Sequence, residues 1–537
     1  MKAKPANSKE GHNANPGTDL GRNHRPTGAC PWRGLASASW VGVIVVMSLL
    51  IGTLPARASA ASAAAEVTRP PRLRPDYSGL VIPPNIAPLN FVVEEPATRH
   101  RVRFRGDRGT PIEVDGGPDG VIDIPLRPWR ALLATNVGGP LYFEVTLEDP
   151  AGTWTRFAPV TNRIATETID PTIAYRLLNP LYSYYAELGI YQRDLESHRQ
   201  TTILENRDFG SGCLNCHTFL NRQPETFALH IRGQKGPQPM LLVRSNEVSR
   251  VDKTAGYLSW HPSGRLLAYS ANQLSLFFHT AGETRDVFDA ESNLGIYWVE
   301  SNLVETPPAV TLPDRLENWP SWSPDGRHLY FTSARKLRWE RFRQIRYDLM
   351  RVSFDLDRNA WGEPETLVSG DEVGLSASQP RVSPDGRWLL FCLAKYGHFP
   401  IYQPGSDLYL MDLLTKKWRR LDINSDQADS WHCWASNGRW VVFSSKRVDG
   451  LLARPHFSYV DEAGRFHKPF ILPQGDPTFY DSCLQTFNLP EFVLGPVRVG
   501  AAELARGVIR PRTSLTPADP TRQEHHEEQN TPAPSDK

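Results

Sequence analysis

The chain has 537 residues, with 60 Lys and Arg against 59 Asp and Glu, 46 Pro, 15 Trp and six Cys. At roughly 100–200 residues per domain this suggests two to four domains, and a chain of this size can bury a core without a disulfide framework. A net charge of +1 argues against a nucleic-acid binder, 40% apolar residues exclude wholesale disorder, and the proline excess (about 27 would be usual) points to a loop-rich, mainly β protein.

The first 60 residues read as a signal sequence. Lys2, Lys4, Lys9, Arg22, Arg25 and Arg33 precede an apolar run from Trp40 to Leu54, and Ala58-Ser59-Ala60 follows as an A-x-A cleavage signal. That run is within the length of a signal h-region and short of the ~20 residues of a spanning helix. If the signal is not cleaved, residues 40–54 tether the protein to the inner membrane. Either way the rest is exported, and the expected location is the periplasm. Cys30 precedes the apolar run and is not a lipoprotein cysteine.

Residues 61–84, rich in Ala, Pro and Arg, read as a linker. Residues 85–166 alternate β-forming segments with Gly-Asp, Gly-Gly-Pro-Asp-Gly and Asp-Pro-Ala-Gly turns, which predicts a small β-sandwich. Residues 167–226 are expected to be a helical connector, because Leu178, Tyr182, Tyr185 and Leu188 fall on helical spacing after Pro171.

From 227 to 495 the chain repeats. Trp260-His-Pro-Ser-Gly-Arg, Trp322-Ser-Pro-Asp-Gly-Arg, Val382-Ser-Pro-Asp-Gly-Arg and Trp434-Ala-Ser-Asn-Gly-Arg each lead into an apolar strand, at intervals of roughly 50–60 residues. Units of that length built from short strands predict a β-propeller of four to six blades. Asp325 and Asp385 are turn residues rather than catalytic ones. Residues 496–537 lose pattern and read as a disordered tail. His525 and His526 lie there among glutamates, with nothing to fix a ligand geometry.

One motif carries chemistry. Cys213-Leu214-Asn215-Cys216-His217 is C-x-x-C-H, the attachment signal of c-type haem. Two thiols at this spacing reach the two vinyl groups of one porphyrin edge, and the following histidine is aimed at the iron. A thioredoxin-like pair would need a βαβ context, and a structural zinc site would need a second pair of ligands. His217 is the expected proximal ligand. His230 and Met240, 13 and 23 residues further on, are the candidates for the distal position, unless that position is open. Arg207 and Arg232 are possible partners of the haem propionates.

Other groups weigh less. Asp429, Ser430 and His432 lie too close along one strand for a hydrolase triad. Cys392 has apolar neighbours and reads as a buried, inert thiol. A Cys433–Cys483 bridge is open to an oxidising compartment.

The repeat resembles the TolB-type propeller unit, with Ser333-Ala334-Arg335 and Ser445-Lys446-Arg447 as its corners. From about Pro171 to Phe492 the chain resembles a family of exported proteins of environmental bacteria that pair a TolB-like propeller with a single c-type haem motif. The residues carrying this resemblance are Ala174-Tyr175-Arg176, Gly189-Ile-Tyr-Gln-Arg-Asp-Leu195, Cys213-Leu-Asn-Cys-His-Thr-Phe219, His230-Ile231-Arg232, Ser259-Trp-His-Pro-Ser263, Asp429-Ser-Trp-His-Cys-Trp434, Ser444-Ser-Lys-Arg-Val-Asp-Gly450 and Lys468-Pro-Phe-Ile-Leu-Pro-Gln-Gly-Asp-Pro477. The resemblance implies one covalent haem c, and it favours His230 over Met240 as distal ligand. It implies no substrate.

Three functions fit these residues. The first is an exported monohaem cytochrome that transfers single electrons, its propeller docking a redox partner protein. The second is a protein-interaction or assembly module in which haem is structural or sensing. The third is a haem enzyme with an open distal site.

Overall fold

The computed structural model describes residues 65–179, 187–210, 212–232, 239–253, 255–277, 285–510 and 516–517. The signal segment and Cys30 lie outside these, as do His525 and His526. Among the described residues no helix is long and apolar enough to cross a membrane.

Six antiparallel sheets follow one another along the chain from Thr172. Blade 1 comprises Thr172–Leu178, Leu188–Asp194 and Gln200–Glu205, with Thr486–Val493 added from the far end of the chain. Blade 2 runs through Cys213–Phe219, Phe227–Arg232, Met240–Arg244 and Glu247–Val251. Blades 3 to 6 open on Leu258–Trp260, Arg315–Trp322, Ser376–Val382 and Asp429–Trp434. Each of these opening strands touches the opening strand of the next blade. Thr486–Val493 touches both Asp429–Trp434 and Cys213–Phe219, so the cycle closes. This is a β-propeller of six blades, with its ring shut by a strand contributed from the C-terminal side.

The Ser-Pro-Asp-Gly units make the turns between first and second strands. Ser323 Oγ donates to Asp325 Oδ1 at 2.6 Å, the Arg327 and His328 amides donate to the Asp325 carboxylate and Ser323 Oγ, and Gly326 takes φ +72°. Asp385 repeats the arrangement. These aspartates are engaged by their own turns, as the sequence predicts.

Four expectations need correction. Residues 167–205 hold three strands where a helical connector was expected. Leu178 and Leu188 meet as cross-strand partners in a hairpin, not along a helix face. Thr172–Leu178 is buried at every position, and a strand buried on both faces loses the alternation that distinguishes it from a helix. Tyr182 and Tyr185 lie outside the described residues. The propeller therefore begins at Thr172, not 227.

The supposed linker at 61–84 contributes strands at Ala65–Val67, Leu73–Arg74 and Val81–Ile82, and it buries Leu73, Tyr77, Leu80 and Ile82. The tail begins later than 496. Helix Ala501–Ile509 buries Leu504 and Ala505 in the core of blades 1 and 2. Finally, all five described cysteines are free, so Cys433 and Cys483 form no bridge.

Ahead of the propeller, strands from Ala65 to Ile164 form a seven-stranded and a three-stranded sheet, together with a helix at Leu126–Thr135. Phe91, Phe104, Trp129 and Phe143 form their aromatic centre. This core is continuous with Trp440, Phe457, Phe487 and Phe492 of the propeller.

Between blades 3 and 4 lies a buried polar knot. Asp289 accepts hydrogen bonds from Asn272 Nδ2 at 2.6 Å, Asn318 Nδ2 at 3.2 Å and the Gln273 amide at 3.2 Å. Burial outweighs these donors and pushes its carboxyl up to about 7. The folded state thus holds a proton that the unfolded chain releases from about pH 4 upward, so this group lowers stability as pH rises toward 7. Asp289→Asn is expected to flatten the fall in unfolding free energy between pH 5 and pH 8 by about 2.5 kcal/mol, read from denaturant unfolding at both pH values. The buried histidines act with the opposite sign, but equally in both proteins. An unchanged slope would refute the assignment.

Candidate functional site at the propeller axis

The opening strands of blades 2, 4, 5 and 6 and the closing strand share one irregularity. Register breaks between Leu214 and His217, Asn318 and Ser321, Ser378 and Arg381, and Ser430 and Cys433, and it shifts between Asn488 and Glu491 on the closing strand. Two residues stand at each break: Asn215-Cys216, Trp319-Pro320, Gln379-Pro380, Trp431-His432 and Leu489-Pro490. Trp319, Gln379, Trp431 and Leu489 take φ of 54°, 56°, 52° and 51°. That backbone costs a non-glycine residue roughly 1–2 kcal/mol, and it persists only where the surroundings enforce it. Such bulges re-aim side chains. Here they sit around the axis.

The C-x-x-C-H segment is therefore the opening strand of blade 2, in register with the repeat. Cys216 stands where other blades have Pro320, Pro380, His432 and Pro490. His217 stands where they have Ser259, Ser321, Arg381, Cys433 and Glu491. These six residues, one per blade, all line a single cavity of about 300 Å³, the lower end of the usual ligand-pocket range. Trp260, Trp319, Trp322, Trp431 and Trp434 also line it.

His217 is 5% exposed, and neither ring nitrogen makes a well-formed hydrogen bond among the described residues. Burial, helped by the Arg176 charge, lowers its pKa to about 4 despite the nearby backbone of Ala174 and Leu489. It is a neutral imidazole on the wall of an aromatic cavity. Cys216 packs with Tyr257, Trp319, Trp431 and Leu489, and burial pushes its thiol up to about 11 against the pull of Arg176, Arg232 and Arg381. Cys213 belongs to a different cluster, toward Ala174 and Leu178 of blade 1, and Arg176 Nη2 donates to its sulfur at 2.9 Å.

On this geometry His217 could meet a haem c in the cavity, whereas Cys216 packs with residues of the wall without itself lining it, and Cys213 does not line it either. The thioether at Cys213 requires the Arg176 contact to be given up.

The distal candidates fall elsewhere. His230 lies opposite the Asn215-Cys216 bulge, where blades 4, 5 and 6 carry Phe331, Phe391 and Phe443, and Met240 pairs with it across the next strand. Both are fully buried, and neither lines the cavity. Arg207 is 77% exposed beside Glu205, away from the cavity. Arg232 pairs in register with Cys213, and its charge is felt at Cys216 and Tyr257.

His432 lines the cavity, but its Nε2 is bound to the Leu390 carbonyl at 3.0 Å. Asp429 is held by Arg447 and Ser425, so Asp429, Ser430 and His432 form no relay. Cys392 is fully buried, its thiol raised well above normal by desolvation.

The sequence does not mark Arg381, Cys433 or Glu491 as residues of the axial wall, where all three lie. Their signal is positional: each immediately precedes the apolar residue that leads into the turn, or its counterpart on the closing strand. Glu491 Oε1 accepts from the Phe219 amide at 2.9 Å, and burial raises its carboxyl to about 7.

The fold and site define a six-bladed β-propeller with a C-x-x-C-H strand at its axis. No family model and no curated protein sequence matches the chain. Among solved structures it is similar to hydrazine synthase of Kuenenia stuttgartiensis (14% identity, 47% of this chain and 64% of that one, TM-score 0.28). It is also similar to the Dos1 propeller (16%, 49% and 63%, 0.29) and to prolyl oligopeptidase B of Galerina marginata (10%, 62% and 43%, 0.33). The matched region spans less than two thirds of each of these. At such TM-scores the architecture rests on the strand order above.

Proposed function

We propose that this is an exported monohaem c-type cytochrome whose TolB-like propeller houses the haem at its axis and docks a redox partner protein. The observation that carries this reading is His217: a buried, neutral imidazole on the wall of a tryptophan-lined cavity, next in sequence to Cys216, with neither ring nitrogen in a well-formed hydrogen bond among the described residues. A bound haem would supply one-electron chemistry. Cys213 and Cys216 would anchor it, His217 would ligate the iron, and the Arg222 and Arg381 charges on the same wall would favour its carboxylates. The apolar run Trp40–Leu54 with Ala58-Ser59-Ala60 supports export to the periplasm, where covalent haem attachment takes place.

A second reading, a haem enzyme with an open distal site, is favoured by the position of His230 and Met240 away from the cavity. The full chain matured with haem separates the two. The geometry leads us to expect a spectrum that His230→Ala and Met240→Ala each leave unchanged and that His217→Ala collapses. A low-spin spectrum lost in either of the first two variants would establish that residue as distal ligand and remove the second reading. A chain carrying no covalent haem after maturation would sink both.

A further inference from the structure

The cavity wall has a bias that the haem motif does not explain. Gln379, Trp431 and Trp322 all line it, at 3%, 5% and 6% exposure. Gln379 Nε2, Trp431 Nε1 and Trp322 Nε1 have no hydrogen-bond partner among the described residues. A buried donor left unpaired costs roughly 1–3 kcal/mol, so three on one wall call for an occupant.

The amide of Gln379 is not free to turn over. Its Oε1 accepts the Trp431 backbone N–H at 2.7 Å and faces the Cys392 thiol at 3.4 Å, which leaves the NH₂ as the unpaired end. An indole nitrogen can only donate. Arg381, two residues beyond Gln379, lines the same wall, and its charge is felt at Cys216, His432, Cys433 and Glu491. Arg222 adds a second cation. The carboxylate on this wall, Glu491, is already engaged by the Phe219 amide. Apart from the His217 imidazole, which keeps one acceptor nitrogen, what is left unpaired on this wall donates, and most of the formal charge is positive.

We propose that the propeller axis carries an oxyanion site in which Gln379, Trp431 and Arg381 bind the oxygens of a small carboxylate or similar planar anion. The anion is either a free molecule or a propionate of the haem. The site stands on residues of blades 5 and 6 and does not depend on haem attachment.

The decisive variant is Gln379→Glu. The new carboxylate still accepts the Trp431 N–H, so the local fold keeps its hydrogen bond, but the free donor becomes a charged acceptor. The full exported chain, produced with and without haem maturation, is titrated with formate and nitrite by calorimetry, with formamide as neutral control. Haem-free wild type is expected to bind formate, and Gln379→Glu and Arg381→Gln should each weaken it at least tenfold with melting temperature retained. Binding that survives in the haem-bearing protein identifies a free anion. Binding lost there, with a reduction potential displaced by Gln379→Glu, identifies the propionate. No formate or nitrite binding in either form, with a potential indifferent to the substitution, overturns the site. A chain that never takes up haem would defeat the cytochrome reading, yet leave the formate titration fully informative.

Discussion

Cys216→Ser is expected to reduce covalent haem at least tenfold in the matured chain, whereas Cys213→Ser is expected to retain haem through one thioether bond. The two cysteines are equivalent in the motif but not in the fold. Cys216 sits at the bulge, packed on Trp319, Trp431 and Leu489, three residues that themselves line the axial cavity. Cys213 sits at the start of the strand, in the cluster facing blade 1, with Arg176 donating to its sulfur. Seating a porphyrin on Cys216 asks only its neighbours on the cavity wall to part. Seating it also on Cys213 asks a buried guanidinium to lose an acceptor. Intact mass gives the yield, and the pyridine haemochrome spectrum counts the saturated vinyl groups: one in Cys213→Ser and two in wild type. Equal loss in both variants would mean that the motif acts as a symmetrical pair and that the folded position of Cys213 is irrelevant to attachment.

Much of this architecture is legible in the sequence, because turn chemistry is local. Ser323, Asp325 and Gly326 close their turn with bonds spanning no more than five residues, so the repeat announces itself. The C-x-x-C-H spacing is equally local.

What the sequence hides is what is decided at a distance. The pairing of Leu178 with Leu188 looks like helical spacing until blade 1 buries both faces of the strand. The ring of His217, Ser259, Ser321, Arg381, Cys433 and Glu491 shares a structural position but no residue type, so no pattern of composition marks it. His230 reads as a distal ligand because it follows the motif closely and belongs to the resemblance. It occupies the place that Phe331, Phe391 and Phe443 fill in other blades, and only the register reveals that.

The ring closure is the most distant of these pairings, and its failure should be the most costly. Thr486–Val493 runs antiparallel to Thr172–Leu178, joining segments some three hundred residues apart. Phe487 and Phe492 are 1% and 0% exposed. Phe487 packs on Tyr175 at 5.1 Å, and Phe492 on Phe457 at 6.1 Å. Both belong to the core that joins the propeller to the N-terminal sheets. Truncating a buried phenylalanine to alanine costs about 3–5 kcal/mol, while a whole domain is stable by about 5–15 kcal/mol. Phe492→Ala alone should therefore leave a folded but weakened protein, with its midpoint in urea clearly lowered. Phe487→Ala combined with Phe492→Ala should remove most or all of the margin, since the two residues sit on one strand and share one core. A chain ending at Gln485 should lose the cooperative transition altogether, because blade 1 would present the unpaired edge of Thr172–Leu178 and the cavity would lose Glu491 from its wall. Urea unfolding followed by tryptophan emission measures all three. If the chain ending at Gln485 unfolds cooperatively at the wild-type midpoint, the ring does not depend on this strand, and the closed six-bladed arrangement would have to be abandoned.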